Sequence, residues 1–125
     1  MLLPSRDRQY LQSKGYIFEE IAENGYKGLI IRGLQLPPGL FNVSQADVLI
    51  LLPSGYPDAA PDMFYLLPWV TLAQTQKYPK AADQPFMFNN QRWQRWSRHS
   101  NEWRPGIDGI WTMLKRVGQA LEVAA

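Results

Sequence analysis

One run in the middle of the chain constrains the fold more than any other. Asp47-Val48-Leu49-Ile50-Leu51-Leu52 is unbroken in its apolar character after the aspartate, and it stops at Pro53-Ser54-Gly55. A short apolar run bounded by turn residues reads as a strand buried on both faces. Tyr56-Pro57 follows, then a second proline at Pro61, then the short apolar run Met63-Phe64-Tyr65-Leu66-Leu67. Proline fixes φ and removes a donor, so Pro57 and Pro61 should hold the crossing between these two strands rigid. A strand buried on both faces needs neighbours on each side, and the rest of the chain has to supply them.

Upstream, Ser5 is placed to cap a helix running to about Gln12, with Tyr10 and Leu11 as apolar contacts and Gly15 as its stop. Tyr16 to Ile21 reads as a strand, Asn24-Gly25 as a hairpin turn, and Tyr26 to Arg32 as the partner strand. Gln45 to Leu52 is then the third strand and Met63 to Leu67 the fourth, giving an antiparallel meander. Pro68 to Pro85 is polar and punctuated by proline, so a long loop is expected, with Phe86-Met87-Phe88 pairing only briefly before Asn89-Asn90. A final helix is expected to start at Pro105, with Ile107, Ile110, Trp111, Leu114, Val117 and Leu121 on one face. Lys115 and Arg116 fall toward its C-terminal half, and Gly106 and Gly109 within its start.

With 125 residues, residues 1–125 are expected to form one α+β domain able to bury a core unaided. The chain has no cysteine, which excludes a disulfide framework and a thiolate metal site. Its longest apolar run, Val48 to Leu52, is far too short for a membrane span. Met1 to Arg8 lacks the apolar core of a signal peptide, so a cytoplasmic location is expected. A net charge of only +2 makes no demand for a nucleic-acid or membrane partner.

Two features could carry chemistry. The single histidine, His99, stands two residues after Ser97, and a serine becomes a nucleophile only beside a base. The plainer reading has His99 capping a turn and Ser97 as a polar loop residue. The second feature is Arg92-Trp93-Gln94-Arg95-Trp96-Ser97-Arg98, in which a helical turn would set a basic ridge beside an aromatic one. Arginine and tryptophan dominate protein-binding hot spots. They also serve phosphate contact and base stacking, and their bland use is to pin a loop to the core. No metal site is indicated, because a lone histidine among scattered carboxylates is not a ligand set.

The order of helix, four-stranded meander, tyrosyl-proline turn, irregular region and tryptophan-proline helix resembles the ubiquitin-conjugating (E2, or UBC) fold. Phe86 to Leu114, with Trp93-Gln94-Arg95-Trp96-Ser97-Arg98-His99 and Trp103-Arg104-Pro105, is similar to prokaryotic E2 family E. The resemblance runs from about Ser5 to Ala120. It implies a UBC-like fold with an N-terminal helix, a four-stranded antiparallel meander and a C-terminal helix. E2 enzymes take a ubiquitin-like protein from an E1 as a cysteine thioester and pass it to an amine. Their bacterial relatives are typically encoded beside E1-like proteins, ubiquitin-like proteins and JAB-type metalloproteases in operons linked to antiphage defence. Variants without the cysteine only bind ubiquitin-like partners.

Here the cysteine is absent, and the nearest match to the family's His-Pro-Asn element is Phe88-Asn89-Asn90. The position of the cysteine, counted on from Asn89, falls on Ser97. After the Pro105 helix there is no room for the two C-terminal helices of a full-length E2. The resemblance therefore implies a non-catalytic E2 variant with no cofactor. It would bind a ubiquitin-like (β-grasp) protein and an E1-like protein through strand surfaces and the segment carrying Arg92, Trp93, Arg95, Trp96, Arg98 and Trp103. The alternative is an active transferase with Ser97 carrying an oxyester, His99 as base and Asn89 or Asn90 as oxyanion donor. A nucleic-acid-binding module ranks last.

Overall fold

The computed structural model describes residues 2–100 and 102–124; Met1, Asn101 and Ala125 lie outside the described residues. The elements are α1 (Ser5–Ser13), β1 (Ile17–Glu23), β2 (Tyr26–Gln35), β3 (Gln45–Leu52), β4 (Phe64–Leu67), β5 (Gln84–Phe88), β6 (Gln91–Trp96) and α2 (Ile110–Glu122). All six strands lie in one antiparallel sheet, in the order β1-β2-β3-β4-β6-β5. The fold is α+β, and its first four strands form the expected meander.

The sheet does not stop at four strands, which corrects the sequence expectation. β5 and β6 form a hairpin across Asn89-Asn90, both at positive φ (54° and 57°), the pattern of a two-residue type I′ turn. Asparagine tolerates that region without a glycine. β6 then pairs with β4 through Phe64↔Trp96, Tyr65↔Arg95 and Leu66↔Gln94. The Arg92–Arg98 stretch is consequently extended for most of its length, not helical and not a loop. Strand geometry sends successive side chains to opposite faces. Trp93 and Trp96 therefore anchor two different cores.

Both helices contribute to the larger core. Leu11 from α1 meets Ile110, Met113, Val117 and Leu121 from α2, and these pack with Phe64, Leu66 and Trp96 of the sheet. Trp96 stacks on Phe64 at 5.3 Å and meets Phe41 edge-on at 6.0 Å. The smaller core gathers Ile30, Leu49, Tyr65, Phe88 and Trp93 on the sheet's other face. Here the sheet curls on itself. The ring of Phe88, on the outer strand β5, lies over Gly28 of β2, where a Cβ would sit 2.7 Å from it. In a flat sheet those strands would stand about 19 Å apart, at four spacings of about 4.8 Å. A side chain at residue 28 would block this closure, which explains the glycine.

Two ends of the helices also differ from expectation. Ser5 makes no cap; the α1 N-cap is Pro4, whose carbonyl accepts from the backbone N–H groups of Asp7 (3.1 Å) and Arg8 (3.2 Å). α2 begins at Ile110 rather than Pro105. Pro105 to Ile107 form a turn with Gly106 at φ 81°, and Ile107 is 57% exposed instead of joining the core face. The delay follows from Asp108, which is buried and accepts from the Arg104 backbone N–H at 2.8 Å and the Thr112 hydroxyl at 3.1 Å, holding a tight loop ahead of the helix. Lys115 and Arg116 are mid-helical, and the last turn carries no basic residue.

The α2 N-terminus is satisfied from another element. Ile110 N–H donates to the fully buried Asp7 carboxylate at 3.3 Å, and the Tyr56 hydroxyl donates to the same carboxylate at 2.5 Å. A carboxylate at a helix N-terminus complements the helix dipole. A Cβ on Gly109 would fall 2.7 Å from Asp7 Oδ1, so glycine is needed for this approach. Burial, reinforced by the bond to Asp7, pushes the Tyr56 phenol well above its ordinary pKa. One carboxylate thus ties α1, the tyrosyl-proline turn and α2 together. Among the described residues no helix is long and apolar enough to cross a membrane.

Candidate functional site

The antiparallel pairing of β4 with β6 brings distant residues together. With Phe64 opposite Trp96, the residues just before β4 lie alongside those just after β6. Asp62 precedes β4, and Ser97 and His99 follow β6. Their side chains form a chain of contacts: Asp62 Oδ1 is 2.6 Å from His99 Nδ1, and His99 Nε2 is 3.1 Å from Ser97 Oγ. An ionised carboxylate can only accept, so in the neutral imidazole Nδ1 carries the proton and Nε2 presents its lone pair to the Ser97 hydroxyl. That is the arrangement of nucleophile, base and orienting carboxylate.

The backbone under this group is fixed from the interior. Gln94, fully buried, uses its whole side-chain amide. Its Oε1 accepts from Val70 N–H (2.9 Å) and the Trp96 indole (3.2 Å), and its Nε2 donates to the carbonyls of Val70 (2.9 Å) and Ala82 (2.7 Å). These bonds clamp the Pro68–Pro85 connection to β6. Next to them Ser97 N–H donates to Ala81 O at 3.1 Å. The Arg98 guanidinium stacks 5.0 Å from the Trp96 ring and donates to Lys80 O at 2.9 Å. Ser97 therefore leaves the end of a strand held on both sides.

Ser97 lines a pocket with Lys80, Ala81 and Arg98, and beside His99 opens a cleft of about 770 Å³ lined by Arg98, His99, Glu102, Trp103, Lys115 and Arg116 among others. Trp103 is fixed at its wall by an indole N–H bond to Pro57 O at 2.9 Å. Arg104 pairs with Asp108 at 3.0 Å, whose carboxyl is held below its ordinary range chiefly by that bond. Arg98, Lys115 and Arg116 form no ion pair among the described residues, so the cleft is electropositive. Burial pulls the Arg116 guanidinium down from its ordinary pKa, and the nearby Asp62 carboxylate partly opposes this. One Arg116 nitrogen, Nη1, is buried without a hydrogen-bond partner among the described residues.

The other residues singled out in the sequence are dispersed. Trp93 and Trp96 are fully buried, so they build the two cores and offer no surface to a partner. The ridge of tryptophan beside arginine does not exist, because the strand's period of two separates what a helix would have aligned. Arg92 is exposed at the far end of β6, 4.6 Å over the Trp69 ring. Arg95 is half-buried on the β6 face it shares with Trp93. Only Arg98 and Trp103 of the six reach the cleft.

Asn89 and Asn90 are the hairpin turn at the opposite end of β6 from Ser97. Six strand residues at about 3.3 Å each put roughly 20 Å between them, so neither asparagine can be an oxyanion donor for Ser97. The residue that sequence reasoning missed is Asp62. Its only sequence signal is its place before the fourth strand, and that becomes informative once the β4–β6 register is known.

The family model described as prokaryotic E2 family E matches residues 3–124 of the chain. No curated protein and no solved structure matches it.

Proposed function

The chain belongs to prokaryotic E2 family E, and from that premise we propose that it works as an E2 variant, recognising a ubiquitin-like protein without carrying it as a thioester. The observation that carries this reading is the joint presence of a match over residues 3–124 and a sequence without one cysteine. Thioester carriage needs a side chain that is both a good nucleophile and a good leaving group, and only a thiolate is both. Recognition of the carried protein needs no thiol. Its partners are a β-grasp ubiquitin-like protein and the E1-like protein that activates it, in the cytoplasm of a bacterium and in a system of the antiphage-defence kind.

The surface that supports this reading is the cleft region. Arg98 and Trp103 are of the residue types that concentrate binding energy, and both are pre-positioned by hydrogen bonds. The unpaired positive charge there suits a partner whose approaching face or C-terminal tail is acidic or carbonyl-rich. Calorimetric titration with the ubiquitin-like protein encoded beside this chain tests the reading. Heat of binding and co-elution are expected; neither heat nor co-elution would remove the proposal.

A further inference from the structure

We infer that Ser97, His99 and Asp62 form a nucleophile–base–orienter relay, and that Ser97 takes an acyl group from an activated ester or thioester in the pocket it lines with Lys80, Ala81 and Arg98. The inference goes beyond recognition: a scaffold without a thiol keeps an acyl-accepting centre built from a hydroxyl. It is drawn from the two contacts, at 3.1 Å and 2.6 Å, which line up hydroxyl, imidazole and carboxylate in that order.

Three features of the surroundings favour chemistry over a mere loop closure. Asp62 bonds the nitrogen remote from Ser97, so a neutral imidazole presents its basic nitrogen to the hydroxyl. Ser97 itself is held by the backbone bond to Ala81, which fixes where Oγ points from. Arg98 lines both the pocket at Ser97 and the cleft that holds His99, so its guanidinium brings positive charge beside the hydroxyl. Donors placed before reaction are what a developing oxyanion needs. The His99 and Asp62 side chains are 58% and 63% exposed, which is open enough to admit an acyl group tethered to another protein. The same openness lets water compete for the bonds, so the relay is expected to be slower than a buried triad.

The step balances without an oxidant or reductant. A bond forms between Ser97 Oγ and the acyl carbon as the carbon–sulfur bond of the donor breaks. The hydroxyl proton passes to His99 Nε2 and from there to the departing thiolate. The products are an ester on Ser97 and a free thiol. The donor belongs to the thioester or activated-ester class.

A fluorophosphonate probe reports this nucleophile on the full chain with no partner protein. A phosphorus–oxygen bond forms at an activated serine and fluoride leaves. A single adduct on Ser97 is expected by intact mass and peptide mapping, and none in Ser97→Ala. His99→Gln should slow labelling by about a hundredfold, the lower end of what a general base contributes. Asp62→Asn should slow it by at least about tenfold by releasing the tautomer. All three side chains end in accessible polar groups, and thermal melts of the variants establish that each is folded. No adduct, an adduct elsewhere, or Ser97 labelling indifferent to His99→Gln would overturn the relay. Any of these leaves recognition of a ubiquitin-like protein standing, because the probe needs no such partner; failed recognition likewise leaves the relay standing.

Discussion

Replacing Gln94 with leucine isolates what one buried amide does for this fold. The two side chains are close in volume, so the change removes hydrogen bonds and leaves little cavity. Four bonds are lost: from Val70 N–H, to Val70 O, to Ala82 O, and from the Trp96 indole. At about 1 kcal/mol net for each, the expected destabilisation is about 4 kcal/mol. That is a large part of the 5–15 kcal/mol typical of a whole domain. Equilibrium urea unfolding measures it. With a slope near 2 kcal/mol per molar, the midpoint should fall by about 2 M and the slope should stay the same. Amide exchange offers a local check, since Val70 N–H loses the acceptor that Gln94 provides and should exchange faster than the central β3 amides. A midpoint shift below about 0.5 M would refute the reasoning, because the connection after β4 would then be held by something other than this amide.

Two further outcomes follow from the same structure. Glu20 accepts from Arg8 and from the backbone N–H groups of Leu2 and Leu3, and the Arg8 bond is the main reason its carboxyl is lowered to about 2. A depressed folded-state pKa gives stability that is complete above the unfolded value of about 4.5 and is lost as pH falls toward about 2. Up to about 2–3 kcal/mol should disappear across that window, and Glu20→Gln should flatten the pH dependence of the thermal midpoint there. Gly28→Ala places a methyl 2.7 Å from the Phe88 ring and should cost about 1–3 kcal/mol. In a double-mutant cycle the cost should shrink when Phe88→Leu is also present; strict additivity would show that the two do not touch.

Local signals made much of this fold legible. Asn24-Gly25 does form the β1–β2 turn, with φ of 50° and 82°, and the apolar run does form β3 from Gln45 to Leu52. Both rest on neighbours in sequence. β6 was opaque because both its faces are buried near its end, so Gln91–Trp96 shows no alternation of apolar and polar residues. Asn89-Asn90 lacks the glycine that usually announces a two-residue hairpin. The start of α2 was misread because Pro105 suits a first helical turn as well as it suits the loop that the buried Asp108 stabilises.

The candidate site was half legible for a related reason. Ser97 and His99 are two residues apart and could be paired from sequence. Asp62 and the cleft-lining Arg116 come from other elements and join the site only through the β4–β6 register and the seating of α2. The family resemblance supplied an asparagine as oxyanion donor, and the β5–β6 hairpin then placed it at the wrong end of the strand. Recognition of the scaffold was therefore a sound guide to the fold and a poor guide to which side chain stands where.

The most direct measurement is a calorimetric titration of this protein with the ubiquitin-like protein encoded beside it, repeated with Arg98→Ala, Trp103→Ala and Arg92→Ala. Saturable binding is predicted, weakened about tenfold by each of the two cleft substitutions and changed little by the one at the far end of β6. No binding, or binding that only Arg92→Ala weakens, would contradict the account.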